Sequence, residues 1–348
     1  MVVNGNANVI SDNSLTDPTK HAELFRYLEN LKKDEDGWRN SLRTIVSNSL
    51  RNVEEHFLLL QVIEDFLQRR YSAASPNDVQ LVRELLLHWM KVILDPSQQK
   101  LPFIVNKMAH IFSMVFAVDF PMKWPSFFED LFFSNNLLEP TVVRFYMKVL
   151  LAIDSEVVDR DIQRSKEEAD RNIKIKDAMR EICIQKIAQS WPTIMNNVND
   201  DSVQCLVLEA IAAYVDWIDV DLIANDTVMS IVIQRLGQSA TSEAASNAVC
   251  ALLQKGMPPE KKVKLVITLM DVLRGNNLLA VTEDSDEDEV LRVGSLVNTL
   301  GLVLIDVYTK WVSIIYFHSF KLLAEFLNPQ RCSHCIFEGK RFSLPQPL

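Results

Sequence analysis

Apolar residues return every three or four positions through one segment after another, and the segments come in pairs. In residues 76–94, Val79, Val82, Leu86, Trp89 and Ile93 fall on one stripe, with Gln80, Glu84, His88 and Lys91 opposite. That spacing predicts an amphipathic helix with one buried face. Residues 103–120 place Met108, Ile111, Phe112, Val115 and Phe116 at the same core spacing. Asp17 followed by Pro18 opens a first helix to Lys33, an N-cap with proline at the first helical position. Further helices are predicted over 38–49, 52–71, 123–133, from 140 onward, and over 202–217, 222–236, 242–254 and 259–273. A capping box, Ser165 with Glu168, starts a long helix ending at Asn196, which Trp191-Pro192 is expected to kink. Gly237, Gly256 and Gly275 each follow a helix end, where a left-handed residue is expected.

The pairs open near residues 18, 52, 101, 140, 201, 242 and 290. The steps centre on the ~40–47 residues of HEAT-type repeats. No pair can bury both of its apolar stripes alone, so neighbours must stack. The predicted fold is all-α, a right-handed superhelical α-solenoid of about seven HEAT-type helix pairs.

Composition sharpens this picture. Apolar residues make up 48% of the 348, enough for a continuous core, and only 8 glycines interrupt it. Enzymes that cradle phosphates use glycine-rich loops. No GxxxxGK, GxGxxG or HExxH run occurs here, so the chain is not read as an enzyme and no cofactor is expected. The net charge of −10 argues against a general nucleic-acid coat, though not against a local basic patch. Cys183, Cys205 and Cys250 sit singly inside apolar segments, which predicts free thiols. The polar first residues lack a secretory h-region, and the apolar run 312–327 is short and carries His318, Lys321 and Glu325. Neither a signal nor a membrane span is expected.

Four constellations stand out. Glu283, Asp284, Asp286, Glu287, Asp288 and Glu289 form an acidic run expected to be a solvated loop. The 165–196 helix carries Arg171, Lys174, Lys176 and Arg180 beside an apolar stripe of Ile175, Met179, Ile182 and Cys183. Arg171 and Lys174 flank one edge, Lys176 and Arg180 the other, so either edge could face a phosphate backbone. Interleaved carboxylates offer intrahelical pairs instead. Cys332-Ser333-His334-Cys335 has half the ligands of a zinc site with no second half in reach, so no metal is expected. The cluster Phe127, Phe128, Leu131, Phe132 and Phe133 after Trp124-Pro125 is read as core between repeats.

Several of these stretches resemble one family. Asn106-Lys107-Met108-Ala109 with Trp124-Pro125-Ser126-Phe127-Phe128 resembles the exportin-1/importin-β-like module of karyopherins. Residues 152–161 (AIDSEVVDRD), 175–184 (IKDAMREICI), 214–226 (YVDWIDVDLIAND) and 255–266 (KGMPPEKKVKLV) together resemble the transfer-RNA exportins, the exportin-t branch. The resemblance runs over roughly residues 18 to 305 and fades into an aromatic, proline-ended tail. Residues 1–15 read as a disordered leader, and the resemblance implies N-terminal repeats on the Ran-binding side over 16–100 and exportin-1/importin-β-like repeats over 101–276. An acidic loop over 277–290 and a partial repeat with divergent tail over 291–348 complete the division.

The resemblance also implies a function: nuclear export of transfer RNA, bound together with the GTP form of Ran and released in the cytoplasm. Nuclear pore proteins would be further partners, with the protein shuttling between nucleus and cytoplasm and catalysis left to Ran. By position in the repeat, Gln80, Glu84, His88 and Lys91 would face Ran, and Arg171 with Lys174, or Lys176 with Arg180, would face the RNA. Family members run to some twenty repeats, so a truncated and only partly competent form is expected. Trp311, Ile314, Ile315, Tyr316, Phe317 and Phe320 would then lack a covering repeat. A karyopherin-like scaffold or import receptor for protein cargo, without RNA, is the alternative.

Overall fold

The computed structural model describes residues 18–47, 50, 52–95, 101–135, 137–158, 164–280 and 285–327, with side chains described between 24 and 310. The leader 1–15, the cysteines at 332 and 335, and the side chains of Trp311 to Phe320 lie outside the described residues. Among the described residues there are helices and turns and no strand. The chain falls into two compact units, residues 1–252 and 253–348.

In the first unit the helices are α1 (Pro18–Lys33), α2 (Gly37–Val46), α3 (Val53–Arg69), α4 (Pro76–Leu94), α5 (Pro102–Asp119) and α6 (Pro140–Ile153). They continue as α7 (Lys166–Ile182), α8 (Ile184–Asn197), α9 (Asp201–Tyr214), α10 (Asp226–Leu236) and α11 (Ser242–Gln254), the last ending at the boundary. First helices of successive pairs pack in order, α1 on α3, α3 on α5, α5 on α6 and α6 on α9. Second helices also pack on one another, α2 on α4 and α8 on α10. This is the two-row stacking that HEAT-type repeats require, and the all-α reading holds.

Local chemistry explains the boundaries. Asn52, Ser75, Asp200 and Asn225 each cap a helix by accepting a backbone N–H from three residues on. Pro76, Pro102 and Pro140 occupy first-turn positions that have no donor to lose. The α4 stripe is buried at Val82, Leu86, Trp89 and Ile93, and α5 buries Met108, Ile111, Phe112, Val115 and Phe116 completely. Phe112 meets Phe145 edge-on at 5.0 Å, and Phe116 meets Phe127 at 5.1 Å. The aromatic cluster is therefore core, as expected.

The structure corrects several expectations. The helix expected over 123–133 is only a short π turn, Glu129–Phe133. Before it, the N–H groups of Lys123 and Trp124 both turn back to the Asp119 carbonyl, and Pro125 has no N–H to give. The long helix of the fourth pair breaks at Cys183, not at Trp191-Pro192. Cys183 leaves helical geometry with φ −132°, while α8 runs on through Pro192. The break turns Ile182 outward, so it leaves the stripe and is exposed. No described glycine has positive φ: Gly237 ends α10 at φ −81°. The left-handed role after the last helix before the acidic run falls to Asn277, at φ 58°.

The second unit holds α12 (Pro259–Gly275) packed on α13 (Glu287–Leu327). Glu287, Asp288 and Glu289 are not loop but the first turn of α13, with Asp286 accepting the N–H of Glu289 at 2.7 Å. Carboxylates are favoured there because the helix N-terminus carries partial positive charge. Within α13, Glu287–Lys310 is long and apolar enough by composition to cross a membrane, with an 18-residue window of mean hydropathy 1.7. Its buried stripe of Val293, Leu296, Leu300, Val303 and Val307 keeps core spacing.

Candidate functional site

Two helix faces carry the candidate residues, α4 and α7. The α4 helix is pinned at its start by a fork: Arg39 of α2 donates from Nε and Nη2 to the two Asp78 oxygens at 2.8 and 2.9 Å. The Asp78 carboxyl is held below its usual range first by this hydrogen bond, against the opposing effect of burial. Farther along, Arg83 donates from Nη2 to the Lys123 carbonyl at 2.8 Å and lies 4.9 Å over the Trp124 ring. Below it sits Asp119, fully buried, which accepts from the Tyr71 hydroxyl at 2.8 Å.

These anchors fix which way α4 faces. Gln80, Glu84 and Lys91 are exposed and His88 is half-buried, so the four expected residues share the solvent side. Gln80 donates to Glu84 at 3.4 Å. Burial, then the neighbouring Lys91 charge, lowers the His88 pKa, so its imidazole stays neutral at neutral pH. The polar list missed Leu87 and Leu94, each 40% exposed on the same side. Counting Leu87 three positions after Glu84 would have found it. Met122, 91% exposed in the turn after α5, was also missed, since nothing in its neighbours marks a protruding residue.

On α7 the four cations are not equivalent. Arg180 donates from Nε to the Trp217 carbonyl at 3.0 Å, pairs with Asp177 and lies over the Trp217 ring at 5.5 Å. It is tied to its own repeat. Arg171 lies alongside Asn172, whose amide donates to the Glu156 carbonyl at 3.3 Å. Lys174 is exposed one turn on, and Lys176 is half-buried on the other edge. Cations Lys166, Arg171, Lys174, Lys176 and Arg180 face an equal number of carboxylates, Glu167, Glu168, Asp170, Asp177 and Glu181. The edge with Arg171 and Lys174 is thus the one able to turn its charge outward.

Polar clasps between neighbouring repeats were not legible in the sequence. Glu64 of α3 meets Lys107 and His110 of α5, with His110 Nε2 at 3.2 Å. Burial alone would raise the Glu64 carboxyl, but hydrogen bonds from His110 and Lys107 overcome it and hold it at about 2. Lys148 donates to Asn106 at 2.7 Å, and Arg144 to Asp200 at 2.8 Å. Such pairs join residues forty or more positions apart, beyond any local pattern. Among the residues with described side chains, no group of three metal-ligating side chains comes together, and Cys183, Cys205 and Cys250 are free thiols.

Residues 101–249 match the Exportin 1-like protein family. The chain is 36% identical over 289 residues to Exportin-T of Homo sapiens, covering 82% of this chain and 30% of that protein. It is 34% identical over 300 residues to Exportin-T of Danio rerio, covering 86% and 31%, and 28% identical over 285 residues to that of Dictyostelium discoideum, covering 81% and 25%. The chain is a homologue of exportin-T. It spans about 30% of the length of the curated relatives it matches.

Proposed function

We propose that the chain serves as a nuclear export receptor for transfer RNA, binding the RNA cooperatively with the GTP form of Ran and releasing it in the cytoplasm. The observation that carries this reading is the identity of 36% over 289 residues to Exportin-T. The solvent side of α4, with Gln80, Glu84, His88 and Lys91, is offered to Ran, and the exposed Leu87 and Leu94 add apolar contact. The α7 edge with Arg171 and Lys174 is offered to RNA. Lys176 and Arg180 are the weaker pair, because Arg180 is held by the Trp217 carbonyl. Transport of this kind implies passage through the nuclear pore and contact with its proteins, and it assigns no catalytic step to this chain.

A second reading, a karyopherin-like scaffold or import receptor for protein cargo, is favoured by one observation. The α7 helix carries as many carboxylates as cations in a chain of net charge −10. Electrophoretic mobility shifts with transfer RNA, with and without GTP-loaded Ran, separate the two. The export reading expects RNA affinity that rises with Ran and falls steeply with salt. Arg171→Glu with Lys174→Glu should weaken it while the helical circular dichroism stays unchanged. RNA binding indifferent to that double change discards the α7 site. Nucleotide-insensitive capture of protein cargo without RNA binding replaces the export reading by the scaffold.

A further inference from the structure

The second unit contains a cleft of about 270 Å³ lined by residues 253–259, Lys262 and the 299–310 stretch of α13. Its walls are apolar at Leu253, Met257, Val303 and Val307. Four charged groups also line it, the ammonium groups of Lys255, Lys262 and Lys310 against the single carboxylate of Asp306. That is an excess of positive charge in a chain whose net charge is −10.

Lys262 is the informative member. It is only 5% exposed, and its Nζ donates to the carbonyl oxygens of Leu253 and Lys255. An ammonium has three donors, so two are engaged by the chain and one is left for whatever enters the cleft. A buried donor without a partner is costly, and an anion is the group that best relieves it. Lys310 sits at the rim, 2.6 Å from Asp306. Burial pulls the Lys262 pKa down, Asp306 opposes that, and Lys310 and Lys255 add to it, as a surplus of cations would.

A bare phosphate has no use for four apolar walls, and a purely apolar group has no use for a buried ammonium. We propose that this cleft docks an acidic segment of a partner protein, seating an aliphatic or aromatic side chain against Leu253, Met257, Val303 and Val307 and presenting a neighbouring carboxylate to Lys262. The site belongs to the second unit, whereas α4 and α7 belong to the first, and it does not depend on the export reading.

The test is fluorescence anisotropy with the full 348-residue chain and a fluorescein-labelled peptide, Glu-Asp-Phe-Leu-Asp-Glu. The control is Lys-Lys-Phe-Leu-Lys-Lys. A Cβ built on Gly256, an exposed residue of the cleft lining, meets nothing within 4 Å, so Gly256→Phe sets a bulky ring at the cleft edge without collision at its Cβ. Lys310→Glu alters an exposed side chain and stays informative if Gly256→Phe disturbs the helical circular dichroism. The acidic peptide should bind saturably, each variant should weaken it at least about tenfold, and the basic peptide should not bind. Absence of saturable binding, unchanged affinity in both variants, or equal affinity for the basic peptide overturns the proposal. Poly(U) binding that is lost in the same variants also overturns it, by assigning the cleft to RNA.

Discussion

Replacing Asp119 by asparagine probes the buried charge that ties α4 and α5 to the turn after α3. Its Oδ2 accepts from the Tyr71 hydroxyl at 2.8 Å and lies 3.5 Å from Arg83 Nη2, while Lys123 Nζ stands 3.8 Å from Oδ1. Burial, then the Asp119 charge, pushes the Tyr71 phenol well above its usual range, so the tyrosine is the donor. Removing one partner of a buried pair costs about 3–5 kcal/mol when the other stays buried. Here Arg83 and Lys123 keep 24% and 41% side-chain exposure and can rehydrate. The expected cost of Asp119→Asn therefore falls to about 2–3 kcal/mol, the scale of charge-assisted hydrogen bonds. Tyr71→Phe, which leaves the carboxylate one donor short, should cost about 1–2 kcal/mol. Because both changes act on one charge-assisted bond, which an asparagine amide oxygen can accept only without the charge, the double variant should be less damaged than the sum by about 1 kcal/mol. Urea unfolding of the four proteins, followed by far-ultraviolet circular dichroism and tryptophan fluorescence, measures this. Additivity within about 0.5 kcal/mol would refute the coupling. An Asp119→Asn variant as stable as the parent would show that the buried charge contributes nothing net.

Three further outcomes are expected. Glu64 is held at about 2 against an ordinary 4.5, so its contribution is complete above pH 4.5 and is lost as pH falls from 4.5 towards 2. Thermal unfolding across that window should show a steeper loss in the parent than in Glu64→Gln, and equal slopes would contradict the assignment. Asn277→Ala should cost about 1 kcal/mol, because the left-handed region at φ 58° penalises a Cβ that lacks the local polar contacts of an asparagine amide, whereas Asn277→Gly should be tolerated; thermal melts of both variants decide it. Ser165→Ala removes the capping box in which Ser165 and Glu168 exchange bonds of 3.2 and 2.9 Å, at a cost of about 1 kcal/mol. Amide exchange in the first turn of α7 should quicken accordingly.

The starts of successive pairs were legible because N-caps, first-turn prolines and a 3.6-residue stripe are all local signals. The positions read for α3, α5, α6, α9 and α11 fall within a residue or two of those observed. The α4 face was legible for the same reason: one periodicity fixes both the buried Trp89 and the outward Lys91. What failed left no mark in the apolar stripe. The chain from Lys123 to Trp124 gives up helix because its N–H groups find the Asp119 carbonyl, and no helical pattern records that. Proline was assigned the kink in the fourth pair, yet the break lies at Cys183, whose own sequence neighbours look helical. Arg180 reads as a free cation on a wheel diagram but is used by Trp217, thirty-seven positions on. The acidic run looked self-repelling; Glu283 and Asp284 lie outside the described residues, and the placement of Glu287, Asp288 and Glu289 in the first turn of α13 shows how a helix terminus absorbs carboxylates that a loop would only expose.

The break at Cys183 has a mechanical consequence for α7. Of its 17 residues only Asn172, Ile175 and Met179 are buried, while α8 beyond the break keeps Ile184, Ile187, Ala188, Trp191, Ile194 and Met195 in the core. The first arm of this bent rod is thus an outrigger, moored by three buried side chains and by the Arg180 bond to the Trp217 carbonyl, and the second is part of the hull. Segments with so few buried contacts open at the low end of the free-energy scale. A macromolecule gripping α7 could tilt it to match its own contour while the stacked helices behind stay as they are.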